Sequence, residues 1–264
     1  MFSYFSAFLL GLIEGLTEFL PVSSTGHLLI AEHWLGAHSD FFNIVIQAGA
    51  ICAVVLLYRE RLWEMVTHLH VPETRDYVVK ILCAFFVTVA LGLPIRLAGW
   101  KLPETLQPIA IAWIIGGVWM LFCEKKAKYA PLSATVSWKV AIGVGIAQTV
   151  AGVFPGTSRS GAAIFLAMLL GLSNRAKATD FVFLVGIPTM FGASAYAMLE
   201  VLRHPSVGVE PWSVTATAFV TALVSGFVVV RWLIGYIQHH SYTRFAYYRI
   251  ALGAFVIAWL YFLH

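Results

Sequence analysis

Charge is scarce in this sequence. Asp, Glu, Lys and Arg make up 11% of its 264 residues, against about 25% in a typical soluble domain. With 60% of positions apolar and a mean hydropathy of +0.83, a soluble globular domain is excluded and an integral membrane protein remains. Alternation of apolar and polar positions is missing too. The apolar runs are continuous and about as long as a helix needs to cross a bilayer, which excludes a transmembrane β-barrel. No polar linker is long enough to divide the chain, so residues 1–264 read as one membrane domain. The three cysteines, Cys52, Cys83 and Cys123, lie in apolar runs without metal-type spacing, as small hydrophobes do. Lys and Arg are absent from residues 1–40. Without a basic n-region, and with Glu14 interrupting the first apolar stretch, a cleaved signal peptide is not expected. The net charge of +4 comes from cations scattered at helix ends, so no nucleic-acid partner is expected.

The polar residues inside apolar sequence are therefore the informative ones. Residues 14–27 read E-G-L-T-E-F-L-P-V-S-S-T-G-H. A charge at membrane depth costs at least about 2.5–3.5 kcal/mol, so carboxylates found there usually face a cavity and serve function. Glu14 and Glu18, four apart, project from one helical face. Pro21 and Gly26 predict a break, with Ser23, Ser24 and Thr25 at its tip. Irregular backbone persists at that depth only when buried in protein or lining water. A second such stretch, P-G-T-S-R-S-G at 155–161, interrupts the apolar run 136–172 and supplies Thr157, Ser158, Arg159 and Ser160.

Six full spans are predicted at 41–58, 77–97, 105–123, 178–199, 213–237 and 246–263. The fold class is thus an all-α integral membrane protein, six transmembrane helices plus two re-entrant helical hairpins. The positive-inside rule places Arg59, Arg61, Arg75, Lys125, Lys126, Lys128, Arg175, Lys177 and Arg244 in the cytoplasm. Lys101 and Arg203 lie opposite, and both termini outside. Setting Pro21 on Pro155 puts Glu14 on Gln148, Ser23 on Thr157, Ser24 on Ser158 and Thr25 on Arg159. Each half, about 1–130 and about 131–264, becomes a broken hairpin followed by three spans. Three is odd, so the halves form an inverted repeat, an arrangement that places transporter sites where two broken helices meet. The symmetry brings Arg159 toward Glu18, Ser24 and His27. Gly116 and Gly117 suit a helix–helix contact. Asn43 and Gln47 either support the site or bond between helices, and Arg231, inside a span, is expected to snorkel. His33, His38, His68, His70, His204, His239 and His240 lie near predicted helix ends, ordinary interfacial positions.

Hydroxyls, free backbone N–H groups and a helix N-terminus favour an anion, and guanidinium matches phosphate oxygens two at a time. The plainer alternative is that Arg159 only neutralises Glu18. A phosphate near Ser24 and His27 suggests hydroxyl or imidazole attack on phosphorus, for which serine needs a base, a cation or a metal. Glu14 and Glu18 can hold a divalent cation that bridges phosphate oxygens. They can equally form a proton relay or an ion site in a transporter. Residue types and spacing stop at a membrane protein handling an anionic, phosphorylated ligand.

The two motifs (the second extended to F-P-G-T-S-R-S-G at 154–161), with the span that begins F-F-N-I-V-I-Q-A-G-A, resemble the undecaprenyl-diphosphatase (bacitracin-resistance) family nearly end to end. The resemblance implies removal of the terminal phosphate from undecaprenyl diphosphate, giving the monophosphate lipid carrier of cell-wall synthesis. It implies a site open to the outer face of the bacterial inner membrane, a divalent cation (Mg²⁺ or Ca²⁺) and membrane lipid around the protein; a homodimer is one assembly open to it. By position, Glu18, Ser24, His27 and Arg159 match the family's central catalytic residues, and Glu14, Thr25, Ser158 and Ser160 its supporting ones. Ser24 is the preferred nucleophile, with Glu18 or His27 handling the proton and Arg159 holding the diphosphate; His27 is the alternative nucleophile. Ser23, Thr25, Thr157, Ser158 and Ser160 are expected around the phosphates, and Glu14 with Glu18 at the metal. No histidine follows Ser158-Arg159 before residue 172, so the mechanism of acid-phosphatase-like lipid phosphatases is not supported. The competing expectation is a polyprenyl-phosphate flippase or another anion-handling secondary transporter, which would use the inverted repeat without hydrolysis.

Overall fold

The computed structural model describes residues 3–100, 105–203 and 210–262, so expectations on Lys101, His204 and Leu263 fall outside it. In hydrocarbon every backbone N–H and C=O must be satisfied within the segment, which drives apolar runs into helices. All regular structure among the described residues is helical: α1 (Tyr4–Thr17), α2 (Ser24–Leu35), α3 (Asp40–Leu57), α4 (Arg59–Thr67), α5 (Pro72–Leu97), α6 (Leu106–Tyr129), α7 (Trp138–Val153), α8 (Arg159–Leu169), α9 (Arg175–Arg203), α10 (Trp212–His239) and α11 (Thr243–Phe262). Six of them, α3, α5, α6, α9, α10 and α11, are long and apolar enough to cross a membrane. Helices α1, α2, α7 and α8 have 11–16 residues and reach only about 17–24 Å, short of a hydrocarbon core of about 30 Å. The polar helix α4 was not foreseen in the sequence.

Each short pair begins and finishes at one end of the bundle. The Tyr4 hydroxyl donates to Ser213 Oγ (2.9 Å), and Glu210, just ahead of α10, accepts from the Ser39 N–H (2.8 Å). The start of α1 and the end of α2 therefore share an end with the start of α10. At the opposite end the Ser173 hydroxyl donates to Pro131 O (2.6 Å) and accepts from the Ser133 N–H (2.8 Å), joining the chain ahead of α7 to the chain after α8. That end also holds Tyr58 donating to Asp180 Oδ1 (2.6 Å), and Arg175 gripping Glu124 through Nε and Nη2 (3.0 and 2.6 Å). Glu124 accepts the Tyr242 N–H as well (2.9 Å). The cations assigned to the cytoplasm gather at this end.

Helix α1 packs on α10, α7 on α5, α3 on both α9 and α10, and α6 on α11. Small residues allow these approaches. A Cβ on Gly11 would stand 2.3 Å from Ala218 O, and one on Gly15 2.1 Å from Ser225 Oγ, so α1 and α10 meet almost backbone to backbone. A Cβ on Gly117 would stand 2.8 Å from Ala246 O, which makes the expected helix contact one between α6 and α11. Gly26 departs from expectation. It lies inside α2, where its missing side chain admits the fully buried Trp113 ring; a Cβ would come 2.2 Å from Trp113 Cζ2. Residues 18–23 make the break instead, because Pro21 has no N–H to continue the helix and Ser23 turns into positive φ. Asn43 Oδ1 is buried without a hydrogen-bond partner, and neither Asn43 nor Gln47 lines the cavity described below, so a supporting role at the site is not seen.

Glu210 straps the α2–α3 connection to α10. Burial opposes its charge, yet the hydroxyl and N–H of Ser39 both donate to the carboxylate and hold its pKa below the ordinary value. Burial also pushes down the pKa of His38, whose Nδ1–H donates to Glu210 Oε1 (3.2 Å).

Two outcomes follow for purified protein in detergent. Gly11→Ala lowers stability by about 1–3 kcal/mol, seen as a lower thermal midpoint. Gly92→Ala, whose Cβ meets only Thr149 Cγ2 at 4.0 Å, leaves the midpoint nearly unchanged. Both His38 and Glu210 bind fewer protons folded than unfolded, so stability rises with pH. Midpoints should fall as pH drops through 6.5, where unfolded His38 takes up its proton, and again through 4.5. Glu210→Gln removes the second loss.

Candidate active site

The first break ends at Ser23, whose φ of 72° and ψ of 101° are strained for a residue with a side chain, a cost of order 1–3 kcal/mol. His27 holds it there: its Nδ1–H donates to Ser23 O (2.7 Å). Nε2, left without a proton, accepts from the Tyr248 hydroxyl (2.7 Å), so both ring nitrogens are engaged away from Ser24. Trp113 and Tyr248 flank the ring, with centroids 5.2 and 5.8 Å away. Ser24 opens α2, and its hydroxyl makes a very short hydrogen bond to Glu18 Oε2. Glu18 Oε1 in turn accepts from Arg159 Nη2 (3.1 Å). Glu18 therefore sits between the hydroxyl and the guanidinium.

The second break turns at Gly156, with φ 86°. Ser158 caps α8 by accepting the Gly161 N–H (3.2 Å). Ser23 provides no such side-chain cap to α2, so the positive N-terminus of α2 stays open toward an anion. Ser160 and Ser158 both donate to Leu20 O, at 3.2 and 3.4 Å. These hydroxyls stitch the two breaks together rather than standing free for a ligand. Thr25 and Thr157 are half-buried and make no side-chain hydrogen bond among the described residues, so they remain available to one.

Glu14 is fully buried, and neither of its carboxylate oxygens has a hydrogen-bond partner. A carboxylate left so is costly unless a proton or a cation neutralises it. Among the described residues no group of three or more His, Cys, Asp and Glu could hold a metal. Two carboxylates still fit a hard divalent cation that draws its other oxygens from phosphate and water, as Mg²⁺ commonly does. Beside Glu18 lies a small cavity of about 20 Å³, lined by Glu18, Arg159, Ser160 and Gln148 as polar groups and by Ile51, Val54, Val182 and Met190 of α3 and α9 as apolar walls. It has room for about one water.

Sequence reasoning passed over Arg249. Its side chain is almost wholly buried and has no carboxylate partner among the described residues. It donates to Pro21 O (3.3 Å) in the first break, to Gly156 O (3.1 Å) in the second and to Ala112 O (3.1 Å) of α6. Gly116 makes space for it: a Cβ there would stand 2.2 Å from Arg249 Nη2. The cost of an intramembrane cation, which singled out Arg159, applied equally to Arg249. It lies inside the predicted span 246–263, yet was not singled out.

Six membrane-length helices around two interrupted helices, joined by a buried serine–glutamate–arginine chain, define a multi-pass membrane protein with a polar site sunk inside it. The chain belongs to the bacitracin resistance protein BacA family, whose model matches residues 7–255. The undecaprenyl-diphosphatase of Xylella fastidiosa (strain 9a5c) is 59% identical over 260 residues, covering 98% of this chain and 100% of that one. The protein of the same name from Xanthomonas oryzae pv. oryzae (strain PXO99A) is 62% identical over 255 residues, 97% of this chain and 96% of its own.

Arg249→Met strands three carbonyls and should lower stability by on the order of 3 kcal/mol. Gly116→Ala, which touches no ligand position, should reproduce part of that fall in thermal midpoint by displacing the guanidinium. A midpoint unchanged in both variants would remove Arg249 as the tie between the breaks.

Proposed function

We propose that this protein is an undecaprenyl-diphosphate phosphatase, which hydrolyses undecaprenyl diphosphate to undecaprenyl phosphate and inorganic phosphate and so regenerates the cell-wall lipid carrier. The observation that carries this reading is the Ser24–Glu18–Arg159 chain at the open N-terminus of α2. The names of the relatives, held over nearly the whole chain, support it.

In this mechanism Ser24 Oγ attacks the terminal phosphorus while Glu18 Oε2 takes the hydroxyl proton. The bond from phosphorus to the bridging oxygen breaks, and prenyl phosphate leaves. Water then hydrolyses the phosphoserine and releases inorganic phosphate. Arg159 keeps one donor on Glu18, and its side chain, 31% exposed, has others to present to the diphosphate. The first N–H groups of α2 and the hydroxyls of Thr25 and Thr157 receive phosphate oxygens. His27 is a positioning residue that fixes Ser23, and through it the aim of Ser24. Glu14 and Glu18 would hold a divalent cation, which neutralises phosphate charge when bound. Two carboxylates already balance Arg159 and Arg249, so a diphosphate arriving without a cation would leave the site strongly negative.

The packing of α1 on α10 and of α7 on α5, with α3 on α9 and α6 on α11, is the pairing that an inverted repeat of residues about 1–130 and about 131–264 requires. Together with the positive-inside rule it supports a cytoplasmic cation-rich end and a first hairpin entered from the outer side of the bacterial inner membrane. A flippase could share this architecture; a hydroxyl hydrogen-bonded to a carboxylate base favours hydrolysis over it.

The test is phosphate release from a long-chain prenyl diphosphate by purified protein with Mg²⁺ or Ca²⁺, and with chelator. Ser24→Ala should abolish release, and Glu18→Gln should lower kcat about 10²–10⁴-fold. Glu14→Gln should raise the cation concentration needed. Near-full activity in Ser24→Ala beside a dead His27→Ala would make His27 the nucleophile.

A further inference from the structure

The outer face of α10 near its C-terminal end is used neither by the packing of the bundle nor by the catalytic breaks. With 28 residues α10 is about 42 Å long, longer than a hydrocarbon core of about 30 Å. Arg231 lies eight residues, about 12 Å, before His239 at the end of the helix, within reach of the membrane interface. Its side chain is long enough to bring the guanidinium to the level of lipid phosphates. Arg231 is exposed and forms no ion pair among the described residues. A cation at that depth calls for a counter-charge from outside the protein.

The surface around it has a shape. Trp232, Tyr236 and His240 follow at four-residue steps and stack in a ladder, with centroids 5.1 and 4.6 Å apart. Arg231, Gly235 and His239 run alongside at the same step. Gly235 opens a notch between the two basic residues, for a Cβ there would meet nothing within 4 Å. The resulting hollow is shallow and open, bounded by residues 227–240 alone. One turn deeper Val228, 60% exposed, offers an apolar surface. The hollow belongs to the end of the bundle where Arg175, Glu124 and Tyr242 meet, the end that gathers most of the Lys and Arg.

We propose that this hollow binds an anionic glycerophospholipid. The headgroup phosphate rests over Gly235 between Arg231 and His239, beside Tyr236, and an acyl chain runs along Val228 toward the membrane centre. Charge complementarity selects the occupant, since the cytoplasmic leaflet carries negative lipid and a basic residue near it contributes on the order of 1 kcal/mol. A zwitterionic lipid also offers a phosphate, but it brings its own cation beside it and so adds no net negative charge at Arg231.

Native mass spectrometry of delipidated protein, titrated with phosphatidylglycerol or phosphatidylcholine, tests this. Wild type should retain phosphatidylglycerol in preference to phosphatidylcholine. Arg231→Gln should weaken that retention about fivefold. Gly235→Leu, which fills the notch without changing charge, should do the same. Both variants should release phosphate from a prenyl diphosphate in detergent at the wild-type rate, which shows that they are folded. Equal retention of the two lipids, or undiminished phosphatidylglycerol binding in both variants, would overturn the proposal. Displacement of the lipid by an equal concentration of inorganic phosphate would overturn it by making the hollow a plain oxyanion site. A wild-type dimer that Gly235→Leu converts to monomer, with lipid binding intact, would overturn it by making the face a contact between copies.

Discussion

The ion pair between Arg159 and Glu18 joins two chain breaks 141 residues apart, deep among apolar helices. Each charge offsets the burial cost of the other. Loss of one partner from a buried pair leaves an uncompensated charge, at a cost of about 3–5 kcal/mol. The pair therefore compels the first break to dock against the second, and the surrounding bonds follow from that docking. Ser158 and Ser160 reach across to Leu20 O, and Arg249 holds carbonyls of both breaks at once. The result is a polar seam whose geometry is set before any ligand arrives, as electrostatic stabilisation of a reacting phosphate demands.

Much of this was legible because the bilayer makes polar residues expensive. Glu14, Glu18 and Arg159 stood out as charges within apolar runs, and Pro21 and Pro155 marked where the helices stop. The six spans came from run length alone, and the structure extends most of them by only a few residues into their caps. What sequence could not provide was direction. His27 stands three residues beyond Ser24 and looked able to exchange a proton with it, but the helix turns the ring toward Tyr248, 221 residues further on. Gly26 resembled a breaker because glycine often is one; only the Trp113 ring packed against it reveals a space-making role. Arg249 gave no motif to notice, since no Ser, Thr, Asp or Glu flanks it in sequence and the carbonyls it holds lie 93 to 228 residues away.

The two ends of the bundle are held differently. At the cation-rich end, Glu124 is gripped by Arg175 and by the Tyr242 N–H, and Tyr58 and Arg61 both reach Asp180. These ties link α3, α4, α6, α9 and the start of α11. At the other end Glu210 straps Ser39 and His38, Tyr4 reaches Ser213, and Arg96 near the end of α5 pairs with Glu200 near the end of α9. Both ends are thus tied by polar contacts, through different helices.

The cavity beside Glu18 has a thermodynamic meaning of its own. At about 20 Å³ it holds a water and not a diphosphate, so a phosphate brought to Glu18 from this side would have to widen the space between α3 and α9. Were only a fraction of the molecules so widened, the apparent dissociation constant would be the intrinsic one divided by that fraction. Apolar walls from both helices leave Glu18 facing a space with little room for water, a setting that strengthens every charge interaction within it.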